Sequence, residues 1–561
     1  MADWVFHSGR IFDGVRLHPE ATAVAVTDGR ITAVGTDAQV RAAAGSAAGT
    51  VDLDGRLLSP GFTDAHVHAV YGGVERLGCD LTQVSGADAV LATVREYAAA
   101  TDREWITGGG WHMADFPGGT PAKELLDAVV PDRPVYLINR DHHGAWVNSR
   151  ALELAGIDAR TPDPADGRLE RDGRGNPAGT LHEGAMDLVG RFVPEPTEEE
   201  LIEGLLEAQR YLHAQGVTGW QEAILGDYAG YPDASRIYRR LAGEGLLTGR
   251  ATGALWVPRG TTADNLGELV AGFEERRREN AAAGFSTTSA KIMVDGVAEN
   301  QTAAMLEPYL RPCSCAETTG HAAAEETRGL TYLPREVLLA AAAALDAAGF
   351  DLHLHVIGDR AVRNGLDAVE HARKINGCSA GRHHMAHIQV VHPQDVPRFA
   401  ALGVTANAQA FWACNDDQMT ELTLPILGPE RAGWQYPFNS LVSAGTALAM
   451  GSDWPVSTPD PWQAIHVAVN RRAPGSPEAA PLVPAEALPL QTALAAYTSG
   501  SARLNRLDDG GRVRVGGLAD LVVLDSNPFE LAPEDLHTVR ADLTMVGGQA
   551  VHVRDRQGAP A

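Results

Sequence analysis

The chain has 561 residues, 44% of them hydrophobic, and a formal net charge of −26 at pH 7. This length allows a large folded core, and so acidic a surface repels phosphate groups, which argues against nucleic acid and anionic lipid as partners. No apolar run reaches the roughly 18 residues that a membrane-spanning helix requires, so we expect no membrane insertion.

Cysteine usage and the first residues bear on the cellular compartment. The five cysteines are few for this length and odd in number, which argues against a disulfide framework and favours a reducing environment. The opening "MADWVFHSGRIFDG" contains no basic segment followed by an apolar one, so it predicts no secretion signal. We therefore expect a cytoplasmic protein.

The two ends of the chain share a pattern that the middle lacks. Residues 1–60 contain short β-rich runs separated by Asp-Gly or Gly, as in "ATAVAVTDGRITAVG", and residues 505–561 repeat this pattern in "DLTMVGGQAVHVRD". Such breaks are typical of β-hairpins. The pattern predicts one small β-sandwich domain assembled from residues 1–60 and 505–561.

Residues 61–504 alternate short apolar runs with long Ala/Leu/Glu-rich stretches of helical character. Eight strand–helix repeats predict an α/β fold, a (β/α)8 TIM-like barrel, in which the functional site lies at the C-terminal ends of the strands. The predicted strands lie in the runs "LLSPGFTDAHVH", "PVYLINRDHH", "GVTGWQEA", "SAKIMVDG", "FDLHLHVIGD", "RHHMAHIQVV", "GVTANAQ" and "ALAMGSDWP".

Two segments of the barrel region are too long for a single strand–helix unit. Residues 72–205 include the Pro/Gly/Asp-rich piece "DARTPDPADGRLERDGRGNPAGT" and predict an inserted cap subdomain. Residues 299–330 predict a lid, because long irregular segments in compact domains are often functional. The lid contains Cys313, Cys315 and His321, which lack a clear fourth metal ligand, so free thiols are the favoured interpretation over a metal site.

Two histidines end the first predicted strand, in "GFTDAHVHAV" at residues 61–70. Residues i and i+2 of a strand face the same side, so His66 and His68 project together toward the barrel axis. Two imidazoles at this spacing can hold one metal ion, and Zn²⁺ is the common choice. Taken alone, the His-x-His pair is also compatible with a structural role.

Four further polar residues lie on four other predicted strands, each near the C-terminal end. They are Lys291 in "SAKIMVDG", His355 in "HLHVIGD", His387 in "HHMAHIQV" and Asp453 in "GSDWPV". A lysine inside a barrel is costly unless its charge is removed or paired. With the His-x-His pair they place four imidazoles, a lysine and a carboxylate at one end of the barrel, which favours a metal site over unrelated core residues.

The order of these motifs resembles the amidohydrolase superfamily, with "HVH" after the first strand, lysine on the fourth, histidine on the fifth and sixth, and "SD" on the eighth. The segments "DHHGAWVNSRAL", "KIMVDG", "HVIGDRA" and "GSDWPV" resemble, more narrowly, the type 3 amidohydrolases, which include N-substituted formamide deformylases. The resemblance extends over nearly the whole chain. It implies a hydrolase acting on carbon–nitrogen bonds other than peptide bonds.

The resemblance also implies a role for each candidate ligand. The two histidines of the first strand would bind one divalent ion, and those of the fifth and sixth strands would bind a second. Lys291 would carry CO₂ as a carbamate that bridges the two ions, for which zinc is expected. Asp453 would contact the first ion and act as the proton shuttle. If Lys291 is not carboxylated, Asp295 is the expected partner for its charge.

Four residues are candidates for binding the substrate. His143 lies in "NRDHHGAW", and Glu183 in "GTLHEGAM" resembles the family's site-facing acid. Asp295 follows the fourth predicted strand, and Trp434 is one of several tryptophans near the predicted site. A loop salt bridge is the alternative for Glu183, and a core position is the alternative for Trp434. His353 is expected either to support a metal ligand or to pack beside one.

The leading hypothesis is a metal-dependent amidohydrolase, in which a metal-activated hydroxide attacks a linear amide or an N-substituted formamide. The alternative is a mononuclear aminohydrolase that deaminates a heterocycle. Such deaminases usually lack the lysine of the fourth strand, so Lys291 favours the first hypothesis. A non-catalytic scaffold is a remote alternative, because such proteins lose metal ligands. A small-molecule amide is the expected partner, and the resemblance is compatible with a homodimer.

Overall fold

The computed structural model describes residues 2–45, 47–164, 166–228, 231–310, 327–378 and 380–555. Its centre is a sheet of eight parallel strands, in which each strand pairs with the next one along the chain. We number these strands first to eighth in chain order: Phe62–Val67, Val217–Leu225, Arg250–Trp256, Ser286–Met293, Asp351–Val356, His384–His387, Thr405–Ala408 and Leu448–Met450.

Hydrogen bonds to the first strand bring the two edges of this sheet together. Asp453 N, just beyond the eighth strand, donates to His66 O over 2.7 Å. The Asn407 side chain on the seventh strand reaches across and donates to Ala65 O over 2.9 Å. A sheet closed in this way leaves no unpaired edge, and its inward-facing side chains become neighbours.

Helices pack around the barrel by burying one face. The helix Glu198–Ala214 illustrates this, because Thr197 and Glu200 form a reciprocal capping box at its start and Leu201 and Leu205 are buried one turn apart. The helices that follow or flank the barrel strands are Ala69–Leu77, Glu198–Ala214, Ser235–Gly243, Leu266–Ala282, Arg335–Ala347, Asp359–Asn376, Val396–Leu402, Leu424–Ala432, Phe438–Ser443, Pro461–Asn470, Leu490–Ala495 and Ser501–Leu504. None of the helices in the described ranges is long and apolar enough to cross a bilayer.

A separate six-stranded sheet lies between the first and second barrel strands in the sequence. Trp111, Trp146 and Phe116 pack against one another in its core. Its strands, in spatial order, are Gly167–Arg171, Pro177–Glu183, Gly144–Val147, Val135–Asn139, Ile106–Trp111 and Cys79–Asp80. Its helices are Ala87–Ala100, Lys123–Asp127, Ser149–Ala155 and Asp187–Gly190. We call this unit the cap.

The cap corrects one sequence prediction. The run "PVYLINRDHH" forms the cap strand Val135–Asn139 and not the second barrel strand, while the third barrel strand, Arg250–Trp256, was missed. A fully buried strand has the same apolar sequence pattern in either sheet, so the pattern does not tell the two sheets apart. The segment "RATGALW" begins with small and polar residues, so it only weakly indicates a strand. The two errors cancel in the count, so Lys291 lies on the fourth barrel strand as predicted.

The two chain ends form two further sheets. Leu57–Pro60 pairs antiparallel with Leu521–Leu524, so the ends share a sheet, and Phe6 and Val24 of the other sheet pack into the same apolar cluster. One sheet contains Ala2–His7, Ala23–Thr27, Arg30–Gly35 and Ala47–Asp52, with the helix Asp37–Ala44; the other contains Arg10–Ile11, Leu57–Pro60, Leu521–Leu524, Ala541–Val546 and Gln549–Val553. The predicted fold class, a barrel with a two-ended β-sandwich and an inserted cap, is confirmed.

The predicted lid is described only in part. Residues 299–310 and 327–330 contain turns and irregular backbone, with neither helix nor strand. Cys313, Cys315 and His321 lie outside the described residues, so the interpretation of these three side chains stays a prediction.

Candidate active site

The six predicted ligands converge at the C-terminal end of the barrel and line one cavity. They reach it from the ends of the first, fourth, fifth and sixth strands and from the turn after the eighth strand. These residues are His66, His68, Lys291, His355, His387 and Asp453. All but His68 are at most 4% exposed. Burying these polar groups removes their hydration, which is unfavourable unless they gain other partners.

Three of these side chains meet at one point. One nitrogen each of His66 and His387 and an oxygen of Asp453 all lie within 4.8 Å of one another. Asp453 Oδ1 lies 3.1 Å from His66 Nε2 and 3.2 Å from His68 Nε2, without the angles of a hydrogen bond. Within the described residues His387 Nδ1 also lacks a hydrogen-bond partner. A buried carboxylate oxygen and a buried imidazole nitrogen that both lack a hydrogen-bond partner, close to a second imidazole, fit a cation.

An unusual backbone conformation at the strand ends orients two of these side chains toward the cavity. His387 and Asp453 have φ angles of 75° and 57°, in the left-handed region that non-glycine residues seldom adopt. Each such residue costs about 1–3 kcal/mol, and it persists only where the surrounding structure enforces it. Here the Gln409 side chain accepts from His387 N over 2.6 Å, and Asp453 N donates to the first strand. The strain therefore coincides with the point where the ligand atoms converge.

Burial keeps the imidazoles of this site neutral. Burial, and then the nearby charge of Lys291, lower the pKa of His66 to about 3. The same two causes, in the same order, hold the pKa of His355 well below its usual value. A neutral imidazole presents a free lone pair, which is the form that binds a metal ion.

Lys291 is also buried. Burial lowers the pKa of its amine to about 7, and its Nζ lies 3.4 Å from His66 Nε2. Asp295, the predicted alternative partner, does not pair with Lys291. Its carboxylate accepts from Ile357 N, Gly358 N and Ala304 N at 2.8–3.0 Å. A lysine with a pKa of about 7, and without a carboxylate within ion-pair distance in the described chain, is uncharged in a substantial fraction of molecules at neutral pH, which is the form that carbamate formation requires.

His353 supports the first strand's ligand. Its Nε2 lies 2.9 Å from His66 Nδ1, on the side of the ring that faces away from Asp453. A hydrogen bond to the second nitrogen fixes the tautomer and the orientation of a metal-binding imidazole. Of the two roles weighed for His353, the structure favours support of a ligand.

The candidate substrate residues lie in different places. His143 lines the cavity, and its Nδ1 lies 2.9 Å from Glu183 Oε1. Glu183 does not line this cavity; it joins His143 to Arg259, whose guanidinium lies 3.4 Å from Glu183 Oε2. Glu183 therefore lies behind His143 and in contact with it, and its predicted contact with substrate stays a prediction.

Two other candidates are also placed away from the cavity. Asp295 is fully buried under the loop that begins at Ile357 and holds its backbone. Trp434 packs beside His392, with ring centroids 4.8 Å apart, and does not line the cavity. Trp412 lies there instead, stacked on His387 at 5.2 Å and 3°. Sequence proximity to the site could not distinguish these two tryptophans, because loop direction decides which one faces inward.

Several cavity residues were not singled out from the sequence. They include Tyr71, Arg140, Tyr228, Tyr231, Gln389 and Phe411. Arg140 carried a usable signal, because in "LINRDHH" it follows a buried strand directly, as the ligand histidines do. The tyrosines carried none, since aromatic residues at these spacings are equally typical of a core.

The comparisons with known proteins agree with this geometry. The amidohydrolase family profile of the type 3 branch matches residues 49–552. The chain therefore belongs to the amidohydrolase family, and the resemblance noted from its motifs is confirmed. It is a hydrolase of carbon–nitrogen bonds, and its family and its donor set support a divalent metal.

Two relatives and one solved structure illustrate the range of similar proteins. The chain is 30% identical over 560 residues to Protein LONG AFTER FAR-RED 3 of Arabidopsis thaliana, covering 98% of this chain and 92% of that protein. It is 27% identical over 546 residues to an N-substituted formamide deformylase of Arthrobacter pascens, covering 94% of each. A metal-dependent hydrolase structure from Pyrococcus horikoshii OT3, at 22% identity and a TM-score of 0.70, covers 94% of this chain and 99% of that chain and shares the fold.

Proposed function

We propose that the protein hydrolyses a linear amide or an N-substituted formamide at a centre of two zinc ions bridged by a carboxylated Lys291. The observation that carries this proposal is the convergence of His66, His387 and Asp453 ligand atoms within 4.8 Å of one another beside a buried lysine. His68 and His355 complete the set of ligands. The Arthrobacter pascens relative, whose name states formamide deformylation, supports this substrate class.

The chain's own residues supply the proton chemistry. A bound divalent cation would supply Lewis acidity, lowering the pKa of the attacking water and polarising the substrate carbonyl. Asp453 takes the water proton on a carboxylate oxygen and gives it to the leaving nitrogen as the carbon–nitrogen bond breaks. The products are a carboxylic acid and an amine. His143, held by Glu183, lies on the cavity wall where it can contact the substrate.

Lys291 contributes as an anion. Burial lowers the pKa of its amine to about 7, so a substantial fraction is uncharged near pH 7; this neutral amine adds to CO₂ and loses a proton to form a carbamate. The carbamate replaces a costly buried cation with an anion, which would supply a negatively charged ligand to bound divalent ions.

Metal content and amine release test the proposal together. We expect about two zinc ions per chain by elemental mass spectrometry on protein purified without chelator, and release of amine from a panel of N-substituted formamides and linear amides. About one ion per chain, with ammonia released from a heterocycle, would favour the mononuclear aminohydrolase. Retained fold with no metal after reconstitution would contradict the proposal.

Lys291→Ala isolates the carbamate. We expect this variant to lose the second ion and its activity together, and short carboxylic acids to restore part of the activity by filling the vacated position. Lys123→Ala is the matched control, because Lys123 lies in the cap and donates to Pro177 O. Full metal occupancy and normal turnover in Lys291→Ala would contradict the bridge.

A further inference from the structure

The active-site cavity contains a half-buried cation that the metal chemistry does not use. Arg140 directly follows the cap strand Val135–Asn139, and its side chain lines the same cavity as Asp453 and Lys291. The cap thus contributes a positive group to the wall of a site whose floor is built by the barrel. Such a group on the wall faces whatever part of the substrate lies beyond the reacting bond.

The Arg140 guanidinium is held in place by neutral acceptors. Its Nε donates to Val456 O over 2.8 Å, and one terminal nitrogen donates to His112 at 2.9 Å. Burial, and then the charge of Arg140, lower the pKa of His112 to about 3, so this imidazole is neutral and adds no negative charge. Val456 lies three residues beyond Asp453, so the anchor of Arg140 belongs to the same loop as the proton shuttle.

Within the described ranges, Arg140 forms no ion pair with a carboxylate. Three acids near it on the cavity lining have partners of their own: Asp141 Oδ1 accepts from His143 N over 2.8 Å, Asp416 Oδ1 accepts from Met419 N over 2.8 Å, and Glu299 Oε1 accepts from Thr423 Oγ1 over 2.5 Å. Burial lowers the pKa of Arg140, and the nearby charge of Asp416, which lies beyond ion-pair distance, partly opposes this shift. The guanidinium has five N–H donors, more than these contacts use, and Arg140 lines the cavity.

A half-buried arginine on a cavity wall, without a carboxylate at ion-pair distance in the described chain, can take that partner from a ligand. The planar fork of the guanidinium matches a carboxylate, with which it forms two parallel charge-assisted hydrogen bonds. The apolar and aromatic side chains beside it include Phe411, whose ring centroid lies 5.7 Å from Arg140 Cζ, and Trp412. These surroundings suit the apolar side chain of an acylated amino acid.

We propose that Arg140 binds the carboxylate of the substrate, so that the preferred substrates are N-formyl and other N-acyl amino acids. This inference rests on the proposed amide hydrolysis, and it assigns specificity to the cap and chemistry to the barrel. Arg140 acts on binding: it selects the substrate and places its scissile bond over the six ligands.

A matched pair of substrates tests the inference on the unmodified protein. N-formylphenylalanine and N-formylphenethylamine differ only by the carboxylate. We expect kcat/KM to be at least about tenfold higher for the carboxylate compound, as a charge-assisted pair provides. Arg140→Met should bring the ratio to about one, and Arg140→Lys should leave it between the two values. A wild-type ratio of one or less, or a high ratio that persists in Arg140→Met, would overturn the inference.

A binding measurement separates this inference from the proposed function. Titration calorimetry of the metal-loaded protein with 3-phenylpropanoate and 3-phenylpropanol requires no turnover. If neither formamide is hydrolysed, the proposed substrate class is wrong, but a carboxylate preference lost in Arg140→Met still supports the anion site. Equal binding of the carboxylate to the wild type and Arg140→Met would mean that the cations alone bind it, and would overturn the role of Arg140.

Discussion

The two ends of the barrel handle buried charge in opposite ways. At the N-terminal end, Asp351 opens the fifth strand and its carboxylate accepts from Arg382 N and, with both oxygens, from Arg506 at 2.6–2.7 Å. At the C-terminal end, Asp453 Oδ1 is equally buried and has no hydrogen-bond donor in the described chain. A satisfied buried carboxylate stabilises the fold, whereas an unsatisfied one reserves its lone pairs for a ligand.

The same contrast appears along one strand. The fifth barrel strand begins at Asp351, whose charge is neutralised by Arg506, and reaches His355, whose neutral imidazole faces the cavity. Chemistry and stability are thus assigned to opposite ends of the same element, as the architecture of barrels allows. Substitutions at the two ends should therefore separate activity from stability.

The largest expected effect is on activity at the C-terminal end. Asp453→Asn removes the proton acceptor and one metal ligand, so we expect kcat to fall by about 10²–10⁴-fold, with metal content reduced. The urea midpoint of the chelator-treated protein should stay the same or rise, because a buried negative charge without donors has been removed. A large loss of stability with normal turnover of the folded fraction would reverse the assignment of this end.

The corresponding change at the N-terminal end should affect stability. Asp351→Asn leaves Arg506 without its charged partner, and we expect unfolding to become easier by about 3 kcal/mol, read from urea denaturation. Arg506 is partly exposed, with 30% of its side chain accessible, which limits the loss. Turnover per folded, metal-loaded molecule should be unchanged. A drop in kcat at full occupancy would show that the two ends are coupled.

The contact between His353 and His66 is expected to have an effect smaller than those of the Asp453 and Asp351 substitutions, and to act on metal affinity. His353→Gln removes the group that orients His66, and we expect metal affinity to fall about 10–100-fold, measured by competition with a chelator of known affinity. His466→Gln is the matched control, since His466 is a buried histidine on the helix Pro461–Asn470, outside the cavity. Equal affinity in the His353 and His466 variants would mean that His353 only packs beside the ligand.

The sequence predicted the two ends of the barrel with different success. The ligands at the C-terminal end follow from a local rule, because a polar residue at the end of a buried strand of a barrel must face the axis or the loops. Asp351 and Arg506 are about as distinctive in type, but their pairing joins residues 155 positions apart, and no local pattern specifies that contact. The convergence of these side chains was therefore predictable, while the ion pair at the opposite end was not.

The cap shows a second limit of the same kind. Its strand Val135–Asn139 was mistaken for a barrel strand because both sheets bury their strands on each face. Because that strand belongs to the cap, Arg140 follows a cap strand and not a barrel strand, and it reaches the cavity from the cap side. The position of Arg140 on the cavity lining depends on how the cap and the barrel pack together, which pattern and spacing along the chain do not specify.

The smallest expected effect concerns the two tryptophans on the cavity side. Trp412 stacks on His387, a contact worth about 0.5–1.5 kcal/mol, so Trp412→Leu should change kcat/KM about two- to tenfold through the position of that ring. Trp434→Leu removes the same ring area next to His392, and we expect kcat/KM within twofold of the wild type. Both substitutions remove an indole near the site, so the difference between their kcat/KM values reports the effect of an indole that faces the cavity. A larger effect at Trp434 than at Trp412 would support Trp434 as a substrate contact. The substrate would then extend beyond the residues that line the cavity.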